Sequence, residues 1–145
     1  MNDMEAVILD TNVLSELMRP FPDPRVLSWF DANARSNFFV TAVTGFRIFV
    51  GIALLPTGKR KEALTVAARN MFEEDFCSRC LPFDTDCAAN YAIIVAERRS
   101  QGLPITTEDA QIAAIAVSRG YALATRNVRD FYLINSLLLL NPWQS

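Results

Sequence analysis

The sequence predicts an α/β domain in which a central parallel sheet is covered by helices on both faces. Three observations lead there. Short apolar runs, Ala6–Leu9, Phe38–Thr41 and Tyr121–Thr125, alternate with longer segments of helical character. Continuous apolar strands of this length belong to sheets buried on both faces. The chain has 145 residues, about one domain's worth, and 51% of them are hydrophobic. No repeat, low-complexity tract or linker divides it, so residues 1–145 read as a single domain.

Each element has its own warrant. Ala6-Val-Ile-Leu9 is β-rich and stops at Asp10. Thr11 or Asn12 can cap a short helix running towards Met18. Pro20, Pro22 and Pro24 mark a loop, and Asp23-Pro24 joins a cap to a helix-starting proline, opening a helix to about Asn33. Phe38-Phe-Val-Thr41 is the second strand, followed by a helix from about Val43 to Leu55. Pro56 and Gly58 break that helix, and Lys59-Arg60-Lys61 opens another to about Phe76. Asp84 caps a helix over Thr85–Gln101, which Gly102 ends. Thr106 or Thr107 caps a helix from Glu108 to Arg119, closed by Gly120. Tyr121–Thr125 is the third strand, and Leu137–Leu140 is a fourth before Asn141-Pro142-Trp143.

Composition removes several chemistries. The sequence contains no histidine, which excludes histidine-based triads, Cys-His pairs and histidine zinc sites. Cys77, Cys80 and Cys87 are the only cysteines. Cys77-x-x-Cys80 has no second pair, so these read as ordinary thiols of a reducing cytoplasm. There is no Gly-rich phosphate loop. Met1–Ala6 carries two acids and no apolar run, unlike a signal peptide. No apolar stretch approaches the roughly 18–20 residues of a membrane helix. The net charge is −2 and the pI near 5.1. Nucleic acid, if it is the substrate, must therefore be held locally rather than by a generally basic surface.

Parallel sheets place their sites beyond the carboxyl ends of the strands. Asp10 follows the first strand. Thr41, Thr44 and Arg47 follow the second, and Thr125, Arg126, Asn127 and Asp130 the third. Asp109 joins them because it lies on the Ile112, Ala113, Ala116 stripe of its helix, on the buried side of the first turn. Each acid also has an ordinary reading: Asp10 as an Asx-turn cap, Asp109 as a capping-box partner of Thr106, Asp130 as a loop surface residue. Taken together, three acids at one edge without a histidine suit oxygen coordination of Mg²⁺ or Mn²⁺. Such a site suits phosphodiester hydrolysis.

The motifs also resemble a known family. Ile8-Leu-Asp-Thr-Asn-Val-Leu-Ser-Glu16 is similar to the opening motif of PIN-domain proteins, in particular VapC-type toxins of the FitB-like branch. Gly51-Ile-Ala-Leu-Leu-Pro56, Thr107-Glu-Asp-Ala-Gln-Ile-Ala-Ala114, Ala124-Thr-Arg-Asn-Val-Arg-Asp-Phe131 and Asn141-Pro-Trp143 resemble later segments, in order, over nearly the whole chain. The resemblance implies a metal-dependent endoribonuclease, homodimeric, paired with a small antitoxin, and reaching operator DNA only through that antitoxin. It implies Asp10, Asp109 and Asp130 as metal-binding acids, with Asn127 offering a neutral oxygen. Thr11, Asn12 and Thr125 support the site by hydrogen bonds.

One motif departs. Where the family has a glutamate three residues past the threonine of its second motif, this chain has Arg47. A guanidinium there pairs with Asp10 or Asp109 and competes with the cation, unless it swings out to solvent. Gly45 also weakens that helix by up to about 1 kcal/mol. The substitution raises an alternative, a non-cleaving module that binds an antitoxin. Among other residues, Phe46 and Phe49 read as core, Glu16, Glu108 and Glu97–Arg99 as exposed faces, and Lys59-Arg60-Lys61 as a solvated helix start. A phospho-acceptor receiver domain is disfavoured, because Asp10 lacks a paired acid and no lysine follows Lys61.

Overall fold

The computed structural model describes residues 5–144. Most of Met1–Ala6, read above as unlike a signal peptide, lies outside them. Five parallel strands, β1 (Ala6–Leu9), β2 (Asn37–Thr41), β3 (Cys80–Leu81), β4 (Ala122–Ala124) and β5 (Leu139–Leu140), form one sheet in the order β3-β2-β1-β4-β5. Among the described residues the α-helices are α1 (Thr11–Leu17), α2 (Pro24–Ala32), α3 (Ala42–Ala53), α4 (Lys59–Asn70), α5 (Thr85–Ser100) and α6 (Thr107–Arg119). No helix among them is long and apolar enough to cross a membrane.

The two-residue period of the strands sorts side chains into two cores. Val7, Leu9, Ala122 and Ala124 face one core, shared with Val13, Leu14, Val26, Ile48 and Ile52 of α1 to α3. Ile8 and Leu123 face the other, with Ile94 of α5 and Ile112–Ala116 of α6. On α6 the small residues Ala110, Ala113, Ala114 and Ala116 are completely buried. They let the helix backbone approach its neighbours closely, α5 above all. Gly102 and Gly120 end α5 and α6 with φ of 71° and 72°, in the left-handed region that glycine enters without penalty.

Chain order fixes where a site can form. From β1 the chain proceeds through β2 to β3 on one side, then returns to β4 on the other side of β1. The winding reverses between β1 and β4, and ligand crevices open beyond the strand ends at such points.

Several expectations need correction. The cap of α1 is Asp10, whose carboxylate accepts the Thr11 N–H, not Thr11 or Asn12. Strand β3 went unseen, being two residues after a π-helical turn at Met71–Asp75. Phe46 and Phe49 are 48% and 38% exposed, because the buried stripe of α3 runs through Thr44, Ile48 and Ile52. Gly45 sits in that buried face, where an added Cβ would stand 3.4 Å from the Phe72 ring. Glu16 is buried: its carboxylate accepts the Asp23 N–H at 2.8 Å and holds Arg19 at 3.2 Å, so the following loop folds over it.

Arg98 is also buried, not on a helix surface. It donates from Nε to the Leu103 carbonyl and from Nη1 to the Tyr132 carbonyl, each at 2.7 Å. One guanidinium thus ties the approach to α6 to the loop after β4. Arg98→Met keeps the apolar stem and leaves both carbonyls without their donor. It should lower unfolding stability by about 2 kcal/mol, read by urea denaturation. Stability within 0.5 kcal/mol of the original, a surface-like effect, would show that water replaces the donor.

Candidate functional site

Pairing of β1 with β4 places the two strand ends side by side, with Leu9 opposite Ala124. The Asp10 N–H continues the ladder by donating to the Ala124 carbonyl at 2.9 Å. Asp10 and Thr125 therefore leave the sheet together. Thr125 is fully buried and donates its hydroxyl to Asp10 Oδ2 at 2.8 Å. Thr11 N–H donates to Oδ1, also at 2.8 Å. Asn12 Nδ2 reaches both Asp10 Oδ2 and Thr125 Oγ1 at 3.4 Å, while its Oδ1 accepts the Arg126 N–H. The Thr11 hydroxyl meets that of Thr44, at the start of α3, at 3.1 Å. The first and last motifs are thereby knitted through one carboxylate.

Asp10 is 3% exposed. Burial pushes its pKa above the ordinary carboxylate value of 3.8; the hydrogen bonds from Thr125 and Thr11 pull it down, nearby Asp109 raises it, and Arg47 lowers it. Asp109 stands in the first turn of α6, where its N–H donates to Thr106 Oγ1. Its carboxylate accepts Arg47 Nη1 at 3.3 Å. Arg47 does not swing away, although its side chain is 37% exposed against 14% for Asp109. Asn127 and Asp130 lie on the exposed turn after Thr125; the Asn127 N–H donates to Thr125 Oγ1 at 3.0 Å.

A cavity of about 620 Å³ gathers these residues: Asp10, Thr11, Asn12, Arg47, Asp109, Asn127 and Asp130 share its walls. Thr125 sits behind Asp10 and only supports it. The donor chemistry fits a hard divalent cation, with carboxylate, amide and hydroxyl oxygens at one edge. In number it falls short. Among the described residues no three acid or thiol side chains converge closely enough to hold a metal ion. Asp10 and Asp109 are neighbours, and a guanidinium claims one of them.

Some wall residues were not anticipated. Arg19, Arg60, Glu16 and Trp143 line the same cavity, beside Arg126, which the strand-end argument had placed there. Trp143 is buried in the core with Leu9, Val13 and Ala124, and Asn141 Oδ1 accepts its backbone N–H at 2.9 Å; an aromatic behind Asn-Pro was the available signal. For Arg60 the signal was the basic run Lys59-Arg60-Lys61, read as a solvated helix start rather than an RNA groove; its place depends on how α4 packs against α3. Cys77 and Cys80 are exposed free thiols remote from the cavity walls, and Cys87 is buried.

Burial of Asp10 has a measurable consequence without metal. Its native pKa lies above the unfolded value, so the native state holds the extra proton between the two. Stability must fall as pH rises from about 4 through that window. Asp10→Asn abolishes the effect. Its stability relative to the original chain, followed in EDTA by thermal melting, should rise from pH 4 towards neutrality. A difference that stays flat with pH would mean that the hydrogen bonds outweigh burial.

Comparison with known proteins gives a consistent result. The PIN-domain family model matches residues 7–135. The chain is 36% identical to the VapC ribonuclease Y4jK of Sinorhizobium fredii, over 95% of this chain and 98% of that protein. It is also 36% identical to the toxin FitB of Neisseria gonorrhoeae, over 94% of this chain and 98% of that one. A solved structure of FitAB bound to an IR36 DNA fragment superimposes with a TM-score of 0.85 at 34% identity, covering 96% of each chain. The chain belongs to the PIN-domain family, among its VapC and FitB toxin relatives.

Proposed function

We propose that this protein is a metal-dependent endoribonuclease toxin that hydrolyses RNA phosphodiester bonds and is neutralised by a cognate antitoxin. The observation that carries the reading is the buried Asp10 carboxylate, held by Thr125 and Thr11 at the point where the sheet reverses its winding, beside Asp109. Relatives named as a ribonuclease and a toxin support it. Ribonucleases of this family generally depend on a divalent metal.

Here the ion is Mg²⁺ or Mn²⁺. Asp10 and Asp109 would hold it, and Asp130 and the neutral oxygen of Asn127 line the same cavity as further donors it would draw in. Thr11, Asn12 and Thr125 keep the Asp10 oxygens aimed. When bound, the ion would supply a better water nucleophile and neutralise charge at the phosphate. Arg47 neutralises Asp109, so the ion is held more weakly than an acid at that position would allow.

Residues 1–145 form one PIN-like domain, acting as a homodimer in the cytoplasm. A FitAB complex is bound to DNA; our reading is that this chain reaches operator DNA only through its antitoxin. The alternative of a non-cleaving module rests on Arg47 alone and is not favoured, given how closely the chain follows its ribonuclease relative.

RNA cleavage in Mn²⁺ tests the reading, with Asp10→Ala as the blank. The native chain should cut above the blank, and Arg47→Glu should cut at least about tenfold faster. If neither folded form exceeds Asp10→Ala, the ribonuclease assignment fails. If native and Arg47→Glu cut equally, Arg47 is peripheral to the chemistry.

A further inference from the structure

Four arginines line the site cavity: Arg19, Arg47, Arg60 and Arg126. They fall into two classes. Arg19 is taken by Glu16, and Arg47 by Asp109. The guanidinium groups of Arg60 and Arg126 make no hydrogen bond or ion pair among the described residues. Both side chains are exposed. They come from different elements, Arg60 from the first turn of α4 and Arg126 from the loop after β4.

Arg126 is the better positioned of the two. Its backbone N–H donates to Asn12 Oδ1 at 3.2 Å. Its guanidinium lies over the Trp143 ring, 5.0 Å from the centroid. The indole is buried and fixes the plane of the guanidinium, while the N–H donors stay open to a ligand. The nearby Asp23 cannot claim them, being engaged in a 2.7 Å ion pair with Arg25.

Charge gives the pair a purpose. The acids of the cavity are Asp10, Glu16, Asp109 and Asp130. Arg19 and Arg47 offset two of them, and the two open arginines match the remainder. The cavity is thus balanced before any cation enters, and a polyanion can approach it. The chain as a whole has a net charge of −2, so such a strand must be held by a few local cations. Planar guanidinium groups with free donors match phosphate oxygens in a bidentate way.

We propose that Arg60 and Arg126 bind the phosphodiester backbone of single-stranded RNA at the cavity that Asp10 and Asp109 line. This rests on the ribonuclease reading above, but it does not require cleavage. Lys59-Arg60-Lys61 then divides by role: Lys61 ties back to the Ala53 carbonyl at 3.1 Å, and Arg60 faces the substrate.

The test is fluorescence anisotropy with a labelled single-stranded RNA 12-mer in EDTA, at a series of KCl concentrations. Arg69→Ala, on an exposed residue outside the cavity walls, controls for lost charge. Arg60→Ala and Arg126→Ala should each weaken binding about tenfold. Each should also lower the slope of log Kd against log salt by about 0.7, one phosphate contact on a single strand. Arg126→Met keeps an apolar cover on Trp143 and should weaken binding equally, so loss of folding does not stand in for loss of contact. If these variants bind as Arg69→Ala does, the proposal is wrong and the ribonuclease reading survives. If the native chain binds no RNA without metal, the proposal is wrong, and cleavage in Mn²⁺ decides the ribonuclease reading separately.

Discussion

A single buried carboxylate sets the terms for the rest of this molecule. Asp10 leaves the sheet at the strand junction where winding reverses, and it is almost wholly removed from water. A charge in that position is tolerated only with partners. The fold supplies them from three directions: the Thr11 amide, the Thr125 hydroxyl and the Asn12 amide. Those contacts bind β1 to β4 and hold the carboxylate at the cavity wall. The alanine-rich face of α6 serves the same end. Packed against α5 and the sheet, it brings Asp109 near Asp10; burial is the main force that raises the Asp10 pKa, and repulsion from Asp109 adds to it.

That repulsion calls for a positive charge. In an all-acid site a divalent cation supplies it. Here Arg47 supplies part of it from within the chain, through the 3.3 Å pair with Asp109. An exposed ion pair of this kind contributes at most about 1 kcal/mol, too little to lock the site permanently against a metal. The outcome is a competition between a tethered monovalent group and a diffusible divalent one. Its balance depends on metal concentration.

Much of this was legible in the sequence, and the limits have physical causes. Apolar runs of strand length marked β1, β2 and β4, and capping residues marked nearly every helix, since both signals are local. Strand β3 was not visible because two residues carry no pattern. The edge positions of Asp10, Asp109 and Thr125 followed from strand ends and helix periodicity. Which acids actually converge did not, because Asp130 rides on an exposed turn whose path is set by tertiary contacts such as Arg98 to Tyr132. The same holds for buried charge. Glu16 and Arg98 read as surface residues from their type, and only the loops that fold over them reverse that reading. Phe46 and Phe49 fail in the opposite sense, since a step of one or two residues, about 100° of rotation each, moves a side chain off the buried stripe.

Mn²⁺ titration followed by electron paramagnetic resonance, comparing this chain with Arg47→Met, addresses the competition directly. Methionine removes the guanidinium without adding a ligand, so any gain reports competition alone. Affinity for Mn²⁺ should rise roughly tenfold in the methionine variant, equivalent to about 1.4 kcal/mol, and Asp10→Ala should abolish binding in both. Equal affinities with and without Arg47 would contradict the central claim, because the guanidinium would then not stand in the cation's place.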